Sequence, residues 1–220
     1  RRRGHLLPGV RSGVCSFVAT KLQTTDLTPY HARVHVWRER LGRWLTPVAR
    51  RCPLSPNAIT VIALLLNLAA AALLYFRVVW IAIVIVAIAG LCDAFDGVVA
   101  RVQDRATRFG DFLDHVADRI GDSALAAGWM LGAGVRSELA IAAIIVVMLN
   151  GDIGTQIEAT YGQRNYESVG RGEFVLALIA FPILTSLFPI ANWLTAILIV
   201  FAAVGIVQRL ALASRLEEPR

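Results

Sequence analysis

The chain has 220 residues, 56% of them hydrophobic, and a mean hydropathy of +0.60. That is too apolar for an ordinary water-soluble domain of this length. The formal charge of +6 rests almost wholly on arginine, with Lys21 the single lysine, and in so apolar a chain it points to an anionic membrane surface and away from nucleic acid.

Residues 1–30 show no clear period and are expected to be a cytosolic tail. Arg1–Arg3 followed by Leu6, Leu7 and Pro8 is too weakly apolar to read as a signal peptide. From 31 to 54 the pattern changes. Val34, Trp37, Leu41, Trp44, Leu45 and Val48 recur at helical spacing, and Arg33, Arg38, Arg40, Arg43, Arg50 and Arg51 fill the other faces. This predicts an amphipathic helix on the membrane surface, with arginines at the headgroups and tryptophans at the interface. Ser55-Pro56-Asn57 then opens a membrane helix, with serine as the N-cap and proline at the first helical position.

A bilayer core needs about 20 apolar residues per helix. On that measure spans are expected at 57–76, 78–101, 110–134, 138–159, 172–188 and 190–211. The fold class is therefore all-α integral membrane: six transmembrane helices in one domain over 55–220, preceded by the juxtamembrane helix. Arg105, Arg108, Arg164, Arg171, Arg215 and Arg220 fall on one side of the membrane, with most of the N-terminal arginines. Only Arg77 and Arg136 fall on the other. By the positive-inside rule both termini and the loop between spans two and three are cytosolic. Cys15, Cys52 and Cys92 have neither metal-ligand spacing nor an even-numbered framework, and read as unpaired thiols.

Spans two and three break the apolar rule. Asp93, Asp96, Gly97, Ala100 and Arg101 stand at i, i+3, i+4, i+7 and i+8 and share one helical face. Gly110, Asp114 and Asp118 are four apart and share a face of the next helix. The short connection predicts that the two helices are antiparallel neighbours whose carboxylates meet. Four ionised carboxylates in a low-dielectric site need compensation, and the usual partner is a hard divalent cation such as Mg²⁺ or Mn²⁺. Two such ions would clamp a pyrophosphate. Arg101 offers a forked cation suited to phosphate.

The pattern D-x-x-D-G-x-x-A-R-x8-G-x3-D-x3-D, complete here from Asp93 to Asp118, resembles the signature of the CDP-alcohol phosphotransferase family. The resemblance implies metal ligation by Asp93, Asp96, Asp114 and Asp118, with Asp118 also the general base. It implies room for a cytidine nucleotide at Gly97 and Gly110, beside Ala100 and Arg101. The reaction implied is transfer of a substituted phosphate group from a CDP-linked lipid donor, foremost CDP-diacylglycerol, to a small alcohol acceptor, with release of CMP. A homodimer embedded in membrane lipids is implied as well. A polyol phosphate is the preferred acceptor, because Arg164 and Arg171, on the motif's side of the membrane, suit its phosphate. A free alcohol such as serine, or a CDP-linked headgroup with diacylglycerol as acceptor, is the alternative.

Other readings explain less. A cation transporter accounts for the aspartates but not for Gly97, Ala100, Arg101 and Gly110, and it predicts internal repeats that are absent. An intramembrane prenyltransferase places its two aspartate motifs far apart in sequence, and a non-catalytic scaffold needs no clustered carboxylates. Asp111 and Asp122 are open between a supporting role and plain helix-end charge. His115 is expected to pack rather than to ligate. Arg119 is open between an ion pair and a phosphate contact, and Asp152 and Glu158 suggest a lined cavity.

Overall fold

The computed structural model describes residues 42–161 and 171–216, the side chains of 158, 171–173 and 216 excepted. The expected tail, the first part of the expected surface helix and Arg164 lie outside the described residues. A first helix, α1, covers 42–51. Six more follow: α2 (Pro56–Tyr75), α3 (Val79–Val102), α4 (Arg108–Gly132), α5 (Ser137–Tyr161), α6 (Arg171–Leu187) and α7 (Ala191–Leu216). Each falls within a few residues of an expected span except at the end of α7, which runs on to Leu216. Among the described residues α2, α3, α5 and α7 are long and apolar enough to cross a membrane. In α4 the charges of Arg108, Asp111, Asp114, Asp118, Arg119 and Asp122 break the apolar run, and the apolar part of α6 is short, Phe174–Leu187.

The helix ends follow local chemistry. Ser55 caps α2, its hydroxyl oxygen accepting from Ala58 N at 3.2 Å. Thr107 caps α4 in the same way, accepting from Gly110 N at 3.0 Å. Three helices close with left-handed turns whose crossed bonds satisfy the last carbonyls. At the end of α2, Val78 N donates to Leu73 O (2.8 Å) and Arg77 N to Leu74 O (3.0 Å). After α3, Arg105 N donates to Ala100 O (2.8 Å); after α4, Val135 N donates to Met130 O (2.9 Å). The left-handed residue is Gly134 (φ 72°) in the last case, but Arg77 (φ 62°) and Asp104 (φ 54°) in the others.

Packing departs from the expected arrangement in one respect. α3 and α4, expected as direct neighbours, barely touch, and α2 lies along both. The cause is the small-residue face of α4. Gly121 faces Asn67, Gly128 faces the Ala71 backbone, and Gly132 faces the carbonyls of Leu74 and Tyr75. Glycines let the α2 and α4 backbones approach closely. Behind them Ala70, Ala71, Leu74, Leu125, Ala126, Trp129 and Met130 belong to a core that also draws on α3, α5, α6 and α7. α5 packs mainly along α7.

α1 is held at the other side. Ala49 is fully buried against Ile59, Val98 and Val99, while Trp44 and Val48 are exposed. The Gln103 side chain donates from Nε2 to Ala49 O (2.8 Å) and Cys52 O (2.9 Å), tying the end of α1 to the end of α3.

A Cβ on residue 128 would collide with the Ala71 backbone, whereas one on Gly90 would meet nothing within 4 Å. Gly128→Ala is therefore expected to lower the unfolding free energy by about 1–3 kcal/mol, the usual penalty of overpacking. Gly90→Ala is expected to be neutral or slightly stabilising. Thermal unfolding of the two purified variants in one detergent makes the comparison.

Candidate active site

The acidic face of α3 and that of α4 meet near the α3–α4 turn. Oxygen atoms of Asp93, Asp114 and Asp118 all lie within 4.8 Å of one another, and each residue is half-buried. Asp93 comes from α3, and Asp114 and Asp118 from one face of α4. Because α3 and α4 each pack on α2 and barely on each other, the carboxylates face each other across a gap instead of a packed seam. Ionised carboxylates at this spacing repel by about 3–4 kcal/mol per pair at an effective dielectric of about 20, so the cluster calls for positive charge.

Asp96 stands one turn along α3 from Asp93 and is placed differently. It is only 7% exposed, and its Oδ2 accepts from Thr60 Oγ1 at 2.6 Å. Thr60 also stands 3.1 Å from Pro56 O, but its single proton is better used on the shorter, charge-assisted contact. Asp96 is within electrostatic range of Asp93 and Asp114.

The other motif positions separate into open and filled. A Cβ on Gly97 would meet nothing nearer than the Arg101 guanidinium at 4.0 Å, so the space over Gly97 is open and Arg101 borders it. Ala100 is half-buried on the same face, and its carbonyl accepts the closing bond from Arg105. At Gly110 a Cβ would stand 3.0 Å from Asn57 Oδ1 and 3.2 Å from Thr107 Oγ1. Here the missing side chain makes way for Asn57 of α2. Asn57 and Thr60 are thus parts of the site that the carboxylate pattern does not reveal; their sequence signal is their position one turn apart at the start of the span.

His115 turns from the cluster, with Nδ1 2.8 Å from Asp111 O. Asp111 is exposed and Asp122 is buried. Further along α4, Arg119 pairs with Asp152 of α5 (3.9 Å) and packs over Gly151. Arg209 of α7, only 8% exposed, donates to Asn150 O and crosses Gly154. These two arginines bring cations to the α5–α7 side of the bundle. The motif and the charge pattern did not single out Arg209. Arg171 opens α6, but its side chain, like that of Glu158, is outside the described residues.

The sequence profile of the CDP-alcohol phosphatidyltransferases matches residues 53–208. An archaetidylinositol phosphate synthase of Pyrococcus horikoshii is 33% identical over 107 residues, 49% of this chain and 55% of the relative, so the match spans little more than half that protein. A phosphatidylinositol phosphate synthase of Mycobacterium marinum is 29% identical over 185 residues, covering 73% of this chain and 76% of the relative. The crystal structure of the Mycobacterium tuberculosis phosphatidylinositol phosphate synthase with CDP-DAG bound superposes with a TM-score of 0.70 at 23% identity, over 81% of this chain and 98% of that one. The same enzyme in complex with manganese and citrate gives 0.67 at 25% identity, over 80% and 93%. The crystal structure with CDP-DAG carries the fold alone.

Thr60→Val removes the hydroxyl that donates to the buried Asp96 carboxylate and is expected to cost about 1–3 kcal/mol of stability. Thr60→Ser is expected to recover most of it. Denaturant or thermal unfolding of the pair is the measurement, and equal stability of both variants would contradict a role for the hydroxyl.

Proposed function

Because the chain belongs to the CDP-alcohol phosphatidyltransferase family, and is therefore a transferase, we propose that it moves the phosphatidyl group of CDP-diacylglycerol onto the hydroxyl of a polyol phosphate, releasing CMP. Inositol phosphate and glycerol phosphate are the acceptors in view. The observation that carries this reading is the convergence of Asp93, Asp114 and Asp118 from two helices. Relatives that are phosphatidylinositol phosphate synthases support the choice of acceptor.

The donor set suits Mg²⁺ or Mn²⁺: several hard carboxylate oxygens, close together and half-buried. Asp93, Asp114 and Asp118 would hold the metal, with Asp96, oriented by Thr60, as the fourth member. When bound, one or two such ions supply the positive charge that offsets the diphosphate of the donor. The manganese complex of the Mycobacterium tuberculosis enzyme supports the metal class.

The chain's own residues do the rest. Open space over Gly97 admits the nucleotide, and the Arg101 guanidinium at its border binds phosphate as a fork. Asp118 takes the proton of the acceptor hydroxyl as that oxygen attacks the β-phosphorus, and the bond to CMP breaks. Gly110 contributes by seating Asn57 and so holding α2 against the acidic face of α4. Arg164 and Arg171 grip the acceptor's phosphate. The protein is a multi-pass membrane protein. We place six spans in it with the aspartate end toward the cytosol, as the arginine distribution supports, and take the active unit to be a homodimer.

The direct test is CMP release by purified protein from CDP-diacylglycerol against inositol phosphate, glycerol phosphate, serine and inositol, with Mg²⁺ and with chelator. Turnover with a phosphorylated polyol, lost on chelation, is expected; turnover with serine alone would replace the acceptor. Asp118→Asn is expected to lower kcat by about 10²–10⁴-fold, the worth of a positioned general base, with the thermal midpoint retained. Full activity would remove Asp118 from the mechanism. Arg171→Ala is expected to raise KM for the phosphorylated acceptor and leave KM for the donor unchanged; an equal rise in both would place Arg171 elsewhere.

A further inference from the structure

A polar cavity lies at the opposite end of the bundle from the aspartates. It has a volume of ≈ 260 Å³ and is lined by Leu74, Arg77, Trp129, Gly132, Thr185 and Ser186 among others. A single water needs about 10–15 Å³ by such a measure, so there is room for a group of several heavy atoms. Val79, also on its wall, stands fourteen residues before Asp93 in α3, or roughly 20 Å at 1.5 Å per residue. The cavity is thus no part of the carboxylate site.

Its open acceptors are at the end of α6. The C-terminal ends of α2, α4 and α6 meet at the cavity beside Val79, the first residue of α3, and the closing turns of α2 and α4 take up their last carbonyls. Just after α6, Pro189 has no N–H to offer Thr185 O, and Ile190 N turns to Phe188 O (2.9 Å). Among the described residues, therefore, no backbone N–H reaches the carbonyls of Thr185 or Ser186. The side chains add only lone pairs. Thr185 Oγ1 accepts from Trp129 Nε1 (3.0 Å) and donates to Phe181 O (2.9 Å), and Ser186 Oγ donates to Ile183 O (2.7 Å).

Arg77 is the one cation on this wall among the described residues. It occupies the left-handed position that closes α2, with φ 62°, where glycine would be free of the roughly 1–2 kcal/mol that an L side chain costs. Among the described residues no carboxylate pairs with it. Exposed Tyr75, Phe76, Trp80, Phe188 and Trp193 stand at the same helix ends, as aromatic residues do at headgroup depth.

Two open carbonyls beside one forked cation suit a ligand with an N–H-bearing ammonium a short distance from a phosphate. We propose that this cavity binds the phosphoethanolamine headgroup of a membrane lipid, its ammonium toward the carbonyls of Thr185 and Ser186 and its phosphate on Arg77. A choline headgroup has no N–H to donate, and a glycerol headgroup has no cation.

The test is native mass spectrometry of the full chain with phosphatidylethanolamine, phosphatidylcholine and phosphatidylglycerol at equal concentration. Phosphatidylethanolamine is expected to be retained about tenfold over either of the others, the worth of one charge-assisted hydrogen bond. Arg77→Gly keeps the left-handed backbone without strain, so it is expected to retain all three lipids more weakly with no fall in thermal midpoint. Arg77→Asn, which also tolerates this conformation, is expected to behave alike. Equal retention of the three lipids by the natural chain, stronger retention of phosphatidylglycerol, or undiminished retention of phosphatidylethanolamine by both variants would overturn the assignment.

Discussion

Mutual repulsion among carboxylates held within 4.8 Å of one another is the constraint to which the aspartate end of this molecule answers. Such a cluster cannot be allowed to relax by drifting apart, and its two carrier helices barely touch. The rigidity comes from α2. Its backbone presses onto the glycines of α4, and its first turn supplies Thr60 to Asp96 and Asn57 to the face at Gly110. A helix that bears no charge thus fixes the geometry of two that bear several. The gap left between α3 and α4 is the physical condition for a ligand to reach oxygens from both sides.

The turns extend the same logic. Closing α3 through Arg105 N to Ala100 O keeps the last turn, with Arg101 on it, helical to its end. Gln103 then anchors α1 by two carbonyls. The acidic end of the bundle is therefore bordered by a helix whose Trp44 and Val48 face outward, where an apolar surface favours them. Position in the membrane and position of the chemistry are set by neighbouring residues of one short stretch.

Much of this was legible in the sequence, and the parts that were not share a cause. Ser55-Pro56 and the apolar runs marked the helices, because capping and hydropathy act within a single element. Asp93, Asp114 and Asp118 could be brought together because each helix has a known period and the connection between them is short. The role of α2 was hidden, because whether α3 and α4 touch depends on Gly121, Gly128 and Gly132 meeting Asn67, Ala71 and Leu74, a match between elements that no periodicity encodes. For the same reason Gly110 read as room for a ligand when the space belongs to Asn57. Arg209 carried no signal at all: an arginine near the end of an apolar helix looks like an interfacial anchor until Asn150 and Gly154 are seen beside it.

The packing also divides the labour. α2, α3 and α4 form one closely built group, α5 and α7 another, and the joints between them are lighter. The invariant requirement of the proposed chemistry, oxygens fixed around a diphosphate, falls wholly on the first group. Arg119 of the first group reaches Asp152 across the joint, and Arg209 bonds Asn150 within the second, each guanidinium lying against a glycine of α5. A group-transfer enzyme needs its donor held to a fraction of an ångström, whereas the acceptor must enter and the product must leave. Close glycine packing on one side of the site and long side chains bridging a lighter joint on the other meet those two demands with different parts of one fold.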